Sequence, residues 1–200
     1  MARSKIAAAV LAAGRSSRMA PCNKLLELVE GKSVIAYAVS AAMERCAEPV
    51  IVVTGFDAER IVEALRGLKV AVVHNADHER GLSASLRAGL KALPPNTDGA
   101  LILLGDMPEI QSGDLKALSG AFIDNQTICV PVRHGRRGNP VLWGAHYFPE
   151  MMRITGDAGA KPLMAEYPDQ VIEVPVESDS IFADIDTFSD LARLKAKRQS

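Results

Sequence analysis

The segment "IAAAVLAAGRSSRMAPCNK", residues 6–24, joins an apolar run to a glycine, two arginines and a lysine. Its apolar part, residues 6–11, has the length and continuity of a buried β-strand. Parallel strands that are covered on both faces read as nearly continuous apolar runs, so this strand belongs inside a parallel sheet. The segment therefore predicts a core strand followed by a loop that gathers positive charge, and cations held together indicate a bound anion.

The same run has features of a signal peptide, because Arg3 and Lys5 precede it. The apolar stretch of residues 6–13 is short, however, and the polar sequence "GRSSRM" follows it at once. We therefore interpret residues 6–11 as the first core strand.

Apolar runs with the length of buried strands recur along the chain and alternate with patterns typical of helices. The further strand-like runs are residues 50–54, 70–73, 100–104 and 128–132. The helical patterns are residues 33–45, with Ser33 as the predicted N-cap, 57–65, 83–93 and 112–122. Strands that alternate with helices of this length indicate right-handed βαβ units and a mostly parallel sheet.

The alternation changes after Pro131. The polar segment "VRHGRRGNP" leads to "VLWG", a short predicted strand, two short helices are predicted near residues 145–154 and 158–166, and "QVIEVPV" is strand-like again. A closing helix is predicted after Thr187, its N-cap. Because no Ser- or Gly-rich linker divides the chain, we expect one domain over residues 1–200. Its predicted fold is a Rossmann-like three-layer α/β/α sandwich, with a mostly parallel twisted sheet and an antiparallel strand in the C-terminal part.

The composition limits the classes of function. The chain has 200 residues, 48% of them hydrophobic, and a net charge of -1, which offers no basic surface to nucleic acid or an anionic membrane. Its three cysteines are odd in number and lack CxxC spacing, which favours a reducing cytoplasm over a disulfide framework. No apolar run approaches the ~18 residues of a membrane span. We therefore expect a cytoplasmic protein that binds small molecules, and neither nucleic acid nor membrane.

Ligands of open parallel sheets bind beyond the carboxyl ends of the strands, so the residues directly after each apolar run are informative. Gly14 follows the first run and lets the backbone approach an anion without interference from a Cβ. Arg18 and Lys24 would add charge-assisted contacts to phosphate oxygens. A turn with solvated cations explains the same residues equally well, so this loop alone leaves the phosphate interpretation open.

Acidic residues occupy two further positions of this kind. Asp106 follows the fourth run, in "GDMP", and Asp184 and Asp186 follow the last short strand, in "DIDT". Each could cap a helix instead, although Thr187 is the better cap. A nucleoside triphosphate requires a hard cation such as Mg²⁺, which takes a few carboxylates and leaves its other positions to phosphate oxygens. Asp106 is therefore a candidate ligand for Mg²⁺, or for Mn²⁺ in its place, and Asp184 or Asp186 would supply the second carboxylate.

Several enzyme classes are not supported by the sequence. The first loop has no GxGxxG, which argues against a dinucleotide-binding oxidoreductase, and no GxxxxGK[ST] appears anywhere. "GLSAS" lacks the last glycine of a nucleophile elbow, and no Ser, Cys or His is placed as an obvious nucleophile. This absence suits a reaction whose nucleophile arrives already anionic, such as the phosphate of a substrate.

Six short motifs along the chain resemble those of one family. The motifs "LAAGRSSRM…NK", "GLSASLRAGL", "GDMP", "GRRGNPVL", "GDAGAKPL" and "DIDT" occur in the order found in the MobA-like nucleotidyltransferases, and within these the likeness is greatest to the molybdenum cofactor cytidylyltransferases. The resemblance runs from residue 8 to about residue 191. It implies transfer of a nucleotidyl group from a nucleoside triphosphate to a phosphate-bearing acceptor, with release of pyrophosphate and dependence on Mg²⁺.

The resemblance also implies roles for individual residues. It assigns the nucleotide to Leu11, Ala12, Ala13, Gly14, Arg18, Lys24, Ser85 and Asp106. Arg18 and Lys24 would contact the triphosphate and, with Asp106, would be catalytic, while Asp106 and Asp186 would bind the metal. Ser85 would lie near the base, and Ala13, in "LAAG", favours CTP over GTP. Gly138 and Asn139, in the loop before Pro140, are expected on the acceptor side.

The predicted function is transfer of CMP from CTP to the phosphate of molybdopterin, and a molybdoenzyme or its maturation chaperone would be a further partner. The alternatives are GTP-dependent guanylyl transfer to the same acceptor and cytidylyl transfer to another small phosphorylated acceptor. A different class is a non-catalytic chaperone that binds a nucleotide or cofactor without releasing pyrophosphate. These alternatives differ in the nucleotide bound and in whether pyrophosphate is formed.

Overall fold

Strand β1 (Ile6–Ala12) is buried along its whole length, as the apolar run at the start of the chain predicts. A computed structural model describes residues 4–45, 50–157 and 159–199. In it, β1 is hydrogen-bonded to a parallel strand on each side and lies inside the main sheet. The prediction of a core strand at this position is confirmed.

The strands and helices follow the predicted alternation through the first two thirds of the chain. The other long strands are β4 (Val50–Thr54), β5 (Val70–His74), β6 (Gly99–Leu104), β7 (Ile128–Arg133), β9 (Val141–Gly144) and β10 (Val171–Pro175). Three short strands are β2 (Leu28–Val29), β3 (Lys32–Ser33) and β8 (Arg136–Arg137). The helices are α1 (Val34–Arg45), α2 (Ala58–Ala64), α3 (Leu82–Lys91), α4 (Ser112–Ala121), α5 (Phe148–Met151) and α6 (Phe188–Arg198).

The main sheet has the strand order β10-β7-β9-β6-β1-β4-β5, with β8 paired to β7. The pairs β1–β4, β1–β6, β4–β5 and β7–β10 are parallel. Strand β9 runs antiparallel to both of its neighbours, β6 and β7. The sheet is therefore mostly parallel with an antiparallel strand in the C-terminal part, as predicted.

The side chains of β1 alternate between the two faces of the sheet. Ala8, Val10 and Ala12 belong to one hydrophobic cluster, which also contains buried residues of α1, α2, α4 and α6. Ala9 and Leu11 belong to the other, with residues of α3 and α5. Helices thus cover both faces of the sheet, and the predicted three-layer sandwich is confirmed.

Several local predictions are wrong. The hydroxyl of Ser33 is buried without a partner, so Ser33 ends β3 and does not cap α1 with its side chain. Residues 145–154 form a 3-10 turn and the four-residue helix α5. The predicted helix 158–166 is a 3-10 turn at Lys161–Ala165, and Ala158 lies outside the described residues. Pro149 and Pro162 stand in the first turns of these two segments, where a proline costs no helical hydrogen bond, so they account for where the segments begin and not for their short length.

Two observations bear on the compositional predictions. Cys22 and Cys129 are free thiols, and Cys46 lies outside the described residues. Within residues 4–45, 50–157 and 159–199, no helix combines the length and hydropathy that a membrane span requires.

Candidate active site

A cleft of about 830 Å³ lies at the carboxyl ends of β1 and β6 and is closed on one side by the start of α3. All residues that the sequence predicts to bind nucleotide or metal line this cleft, namely Leu11, Ala12, Ala13, Gly14, Arg18, Lys24, Ser85, Asp106 and Asp186. The sheet brings them together because the loops that follow parallel strands emerge at the same edge. The cleft is therefore the candidate active site.

The backbone at Gly14 is open to the cleft. A Cβ built at this position meets no protein atom within 4 Å, and Gly14 is not among the residues with positive φ. Neither packing nor backbone geometry therefore requires glycine here. The absence of a side chain keeps the backbone open to the cleft, as close approach of a phosphate or base requires.

Lys24 is positioned by two polar residues of the same loop. The Ser16 hydroxyl accepts a hydrogen bond from the Lys24 backbone nitrogen at 3.2 Å, and the buried Asn23 side chain accepts one from Leu25 at 3.1 Å. Met19 and Leu25 are both buried and anchor the loop to the core. Lys24 therefore enters the cleft from a fixed backbone, whereas Arg18, on the exposed side of the Ser17–Met19 turn, keeps most of its side chain in solvent.

Asp106 is positioned by the end of β6. Gly105 donates a backbone hydrogen bond to the Leu11 carbonyl at 2.9 Å, which extends the pairing of β6 with β1 by one residue. A Cβ at Gly105 would lie 2.7 Å from Cδ1 of Ile35 and 3.1 Å from the Leu11 carbonyl oxygen, so glycine lets α1 pack closely against the end of the strand. This close packing directs the next residue, Asp106, into the cleft.

Asp186 reaches the cleft by a route that the sequence did not predict. It follows the 3-10 turn Asp179–Phe182 instead of a strand, which corrects its predicted place at a strand end. The Ile185 backbone nitrogen donates to the Asp106 carbonyl at 2.9 Å. On the other side, the Asp190 carboxylate accepts hydrogen bonds from the backbone nitrogens of Asp186 and Thr187, at 3.2 and 2.9 Å. Thr187 caps α6 as predicted.

Four of the predicted residues form a network that we call the charged cluster: Arg18, Lys24, Asp106 and Asp186. The Lys24 ammonium lies 2.6 Å from Oδ2 of Asp106 and 2.9 Å from Oδ1 of Asp186. Arg18 donates to the other carboxylate oxygen of Asp186. Lys24 and Asp106 are mostly buried, with side chains 15% and 16% exposed, so their attraction is only weakly screened.

The pKa values of the cluster follow from these contacts. Burial disfavours the charged form of Lys24, but its attraction to Asp106 and its hydrogen bonds to Asp106 and Asp186 outweigh burial and raise its pKa above 10.5. Burial raises the pKa of Asp106 above 3.8 against the attraction of Lys24, and the nearby Asp184 adds to the rise. The pKa of Asp186 lies below 3.8, chiefly because Lys24 donates a hydrogen bond to it. Lys24 is therefore the protonated centre of the cluster.

The charged cluster has the chemistry of a divalent-cation site that is completed by a substrate. Oδ1 of Asp106 is buried and has no hydrogen-bond partner within the described residues. A single ammonium group bridges Asp106 and Asp186, which shows that the two carboxylates face a shared cationic position. No group of three or more His, Cys, Asp or Glu side chains able to hold a metal occurs in residues 4–45, 50–157 and 159–199. Mg²⁺ fits two carboxylates because phosphate oxygens and waters supply its remaining ligands.

Ser85 lines the cleft and forms a neutral pair with Asn75, which does not line it; we call the two residues the polar pair. Asn75 follows β5 directly, and its side-chain amide donates to Oγ of Ser85 at 3.1 Å. Both residues are buried, with 6% and 5% of their surface exposed. Asn75 was missed from the sequence, although its position directly after an apolar run is the same signal that identified Asp106.

Arg15 does not join the charged cluster, although it shares its loop with Arg18 and Lys24. Its guanidinium pairs with Glu79 at 2.7 Å across the mouth of the cleft and lies over the Phe56 ring. Both partners of this pair are mostly exposed. The three cations of the opening segment therefore have different surroundings, and only two of them face Asp186.

A second, smaller cavity of about 250 Å³ adjoins the cleft on the side of β9. Asn139 and Lys161 line it, and its walls share Leu11 and Leu104 with the cleft. Gly138 lines neither of these two cavities. A Cβ there would lie 2.7 Å from the Ile181 carbonyl, so Gly138 permits close packing that places Asn139. Asn139 therefore lies beside Leu11, one of the residues predicted to bind the nucleotide, and Gly138 packs behind Asn139 without lining either cavity.

Curated relatives match either part of this chain or nearly the whole of it at low identity. The chain is 34% identical over 115 residues to the bifunctional protein GlmU of Kineococcus radiotolerans, and spans 23% of the length of that protein. It is 24% identical over 191 residues to the molybdenum cofactor cytidylyltransferase of Escherichia coli, covering 94% of both chains. The second similarity extends over nearly the whole fold.

Solved structures agree closely with the fold. A nucleotidyl transferase from Methanothermobacter thermautotroptrophicus superposes with a TM-score of 0.86 at 30% identity, covering 98% of this chain and 99% of that chain. The Rv0371C complex with manganese from Mycobacterium tuberculosis superposes with a TM-score of 0.79 at 25% identity, covering 96% of this chain and 99% of that chain.

The family model of the MobA-like NTP transferase domain matches residues 8–171. The match includes β1 with its glycine loop, the start of α3 with Ser85, and the end of β6 with Asp106. These are the elements that build the cleft, apart from the segment that contains Asp186. The chain therefore belongs to the MobA-like NTP transferase family and is a nucleotidyltransferase.

Proposed function

We propose that this enzyme transfers CMP from CTP to the terminal phosphate of molybdopterin and releases pyrophosphate. The observation that carries the proposal is the charged cluster, in which two cations and two carboxylates meet beside a glycine loop open to a ligand. The choice of CTP and molybdopterin is supported by similarity to the molybdenum cofactor cytidylyltransferase of Escherichia coli over 94% of both chains.

The proposed reaction is an in-line displacement at the α-phosphorus of CTP. An oxygen of the acceptor phosphate forms a bond to the α-phosphorus, and the bond from that phosphorus to the bridging oxygen of the β-phosphate breaks. The electron pair of the broken bond leaves with pyrophosphate. No general base is required, because a phosphate monoester is largely ionised near neutral pH.

The protein contributes position and charge. Arg18 and Lys24 neutralise the negative charge that grows on the leaving pyrophosphate, Lys24 from a mostly buried position where electrostatic interactions are strong and Arg18 from the exposed side of the cleft. Gly14 and its neighbours hold the backbone against the nucleotide. Asp106 and Asp186 would hold Mg²⁺, which when bound withdraws charge from the phosphate oxygens and makes the α-phosphorus more electrophilic.

Lys24 has two positions in this reaction. In the structure its ammonium neutralises Asp106 and Asp186. Were Mg²⁺ held by Asp106 and Asp186, both carboxylates would be neutralised without Lys24, and its ammonium would be free to contact the triphosphate. The low exposure of Lys24 keeps this movement within the cleft.

The smaller cavity supports a place for the acceptor. It is lined mainly by apolar residues, with Asn139, Asp157 and Lys161 as its polar groups. Such a lining suits a fused-ring acceptor with a few hydrogen-bonding edges better than it suits a highly polar sugar. The phosphate of an acceptor bound there would face the cleft across Leu11 and Leu104, which line both spaces.

The test is a panel of substrates with pyrophosphate release as the readout. Purified protein is incubated with Mg²⁺ and CTP, GTP, ATP or UTP, each with and without molybdopterin. Pyrophosphate that forms only with CTP and molybdopterin together supports the proposal. Release with GTP would instead indicate guanylyl transfer, release with another phosphorylated acceptor would replace molybdopterin, and CTP binding without release would indicate a chaperone.

A further inference from the structure

A cavity of about 530 Å³ lies between the start of α1, the loop that joins β6 to α4, and the C-terminal end of α6. Among the residues that the structure describes, none lines both this cavity and the cleft. Its polar lining includes Lys32, Tyr37, Ser40, Lys197 and Arg198. The proposed reaction uses none of these side chains.

Two cations meet at one aromatic ring in this cavity. The Lys32 ammonium lies 4.6 Å from the centroid of the Tyr37 ring, and the Arg198 guanidinium carbon lies 4.1 Å from the same centroid. The ring attracts each cation, but the two positive charges repel each other. Burial lowers the pKa of Lys32 below 10.5, and the charge of Arg198 adds to the fall against the opposing effect of Glu44. An anion between the two cations would relieve the repulsion.

Carboxylates of the protein compensate these two cations only in part. Within the described residues Lys32 has no ion pair, and its ammonium donates one hydrogen bond, to the Ser40 hydroxyl at 2.8 Å. Arg198 donates to the Pro108 carbonyl at 3.2 Å and lies 3.7 Å from the carboxylate of Glu30. An ammonium group carries three protons, so Lys32 keeps two of them for a ligand.

The other charged groups of the lining are compensated or solvated. Lys197 is mostly exposed and pairs with Glu109 at 2.6 Å, so these two charges cancel. Glu44 is exposed. Ser112 begins the ten-residue helix α4, so its backbone nitrogen has no partner within the helix and lies at the positive end of the helix dipole. The uncompensated charge of the cavity is therefore positive.

We propose that this cavity binds a phosphate-type anion, held by Lys32 and Arg198 and by the start of α4. A phosphate group offers acceptor oxygens in several directions, which suits donors that come from three different elements. The volume of about 530 Å³ is typical of small-molecule sites and leaves room for a molecule that carries the phosphate. The inference does not depend on the proposed function, because the cavity and the cleft are lined by different residues.

The main experiment is acetylation of the full chain, with each modified lysine located by peptide mass spectrometry. A short pulse of acetic anhydride modifies unprotonated amines, and inorganic phosphate is added at increasing concentration. We expect phosphate to slow the acetylation of Lys32 several-fold and to reach saturation. Lys116, an exposed lysine of α4 that does not line the cavity, should react at a constant rate and corrects for consumption of the reagent. Lys24 reports on the cleft in the same samples.

Sodium chloride at matched ionic strength controls for general screening of charge. Equal slowing of Lys32 by chloride, or no slowing by phosphate, overturns the inference.

The Arg198→Gln variant removes one proposed contact and leaves the labelled lysine in place. The phosphate concentration that gives half of the maximal protection of Lys32 should rise about tenfold, because a charge-assisted contact is lost. Lys195→Gln is the matched control, since Lys195 belongs to the same helix, lies 3.9 Å from the carboxylate of Glu27 and does not line the cavity. Its half-protection concentration should equal that of the wild type. An unchanged value in Arg198→Gln overturns the inference.

Three probes identify the source of the phosphate group. Inorganic phosphate, pyrophosphate and glycerol 3-phosphate are compared by their half-protection concentrations for Lys32. The lowest value indicates a free phosphate ion, the product of the proposed reaction or a phosphate monoester, respectively, and each of these results supports the site. Protection by none of the three overturns the inference. The readout needs no turnover, so this failure is distinct from a failure of the enzyme to use CTP.

Discussion

The charged cluster lines the cleft and the polar pair reaches it through Ser85, yet the two are built by opposite means. The charged cluster joins three distant chain segments through ion pairs, and two of its members, Arg18 and Asp186, have side chains 69% and 39% exposed. The polar pair joins residues ten positions apart, carries no charge and is almost fully buried. Compensated charges that are partly exposed suit a reaction in which charge moves. Fixed, neutral dipoles suit recognition of a base that stays the same throughout.

Because the two groups differ in this way, we expect their variants to affect different kinetic quantities. Variants of the charged cluster should lower the rate with every nucleotide and leave the CTP-to-GTP ratio of kcat/KM unchanged. Variants of the polar pair should change the ratio with a small effect on turnover. A charged-cluster variant that altered selectivity, or a polar-pair variant that abolished turnover, would contradict this division of roles.

Asp106→Asn should have the largest effect. The amide keeps the size of the side chain but loses the charge that holds both Lys24 and the proposed Mg²⁺, and we expect kcat to fall about 1,000-fold. Steady-state assays of pyrophosphate release at saturating Mg²⁺ measure this. Asp169→Asn, an exposed aspartate in the 3-10 turn Pro168–Gln170, is the matched control and should match the wild type. A rate within twofold of wild type for Asp106→Asn would exclude its role.

Arg18→Ala should come next. Loss of one cation beside the leaving pyrophosphate is expected to lower kcat about 100-fold, with the melting temperature unchanged because the side chain is mostly exposed. Arg66→Ala removes a surface ion pair with Glu63 and should affect neither rate nor ratio. Near-normal turnover in Arg18→Ala would remove Arg18 from the reaction.

Ser85→Ala should have a smaller and different effect. Removing the hydroxyl from the polar pair is expected to lower kcat/KM for CTP about tenfold, mostly through KM, because the contact to the base is present before and during the reaction. Measuring kcat and KM separately for CTP and GTP tests this. A loss that falls mainly on kcat would place Ser85 with the charged cluster instead.

Thr187→Ala tests how far the charged cluster depends on its support. The Thr187 side chain accepts a hydrogen bond from the Asp190 backbone nitrogen in the capping box of α6, and its loss should lower the free energy of unfolding by about 1 kcal/mol. Since the same box holds the backbone of Asp186, we also expect a modest fall in kcat. Urea titration and the rate assay report the two effects, and Thr187→Ser should restore both.

The smallest expected effect is a change in the stability of the fold with pH, caused by the ionisation of Asp186. The pKa of Asp186 is lower in the folded protein than the ordinary 3.8, so its ionised form stabilises the fold above that pH, and the stabilisation disappears as the pH falls through the folded value. The difference in unfolding free energy between wild type and Asp186→Asn should therefore be constant from about pH 5 to 8 and shrink below about pH 4. A difference that grows on acidification would contradict the assigned charge state.

The parallel sheet was predictable because its strands are continuous apolar runs and its helices are of ordinary length. Arg18, Lys24 and Asp106 were predictable as residues of one site for the same reason, since each follows a strand that the pattern identifies. The 3-10 segments of the C-terminal part have no such periodicity, and they were predicted as short helices. Asp186 was predicted by resemblance and by a supposed strand end, whereas its position depends on a hydrogen bond from Ile185 to Asp106.

Asn75 shows a different limit of sequence reasoning. Its position after β5 was visible, but its partner Ser85 is identified only once α3 is packed against β1. Gly89 permits that packing, since a Cβ there would lie 3.2 Å from Cβ of Ala9. Hydrogen-bond direction between two neutral side chains depends on distances of this kind, and no pattern of residue types specifies them.

The position of Asp186 near the end of the chain determines when the charged cluster can be completed during synthesis on the ribosome. Lys24 and Asp186 are 162 positions apart, and the matched domain ends at residue 171, before Asp186 is reached. A nascent chain that has completed every strand of the sheet still lacks one carboxylate and the helix that anchors it. The last carboxylate of the charged cluster is therefore synthesised only after every strand of the sheet, and a chain ended directly after β10 would lack both Asp186 and the helix α6 that supports it.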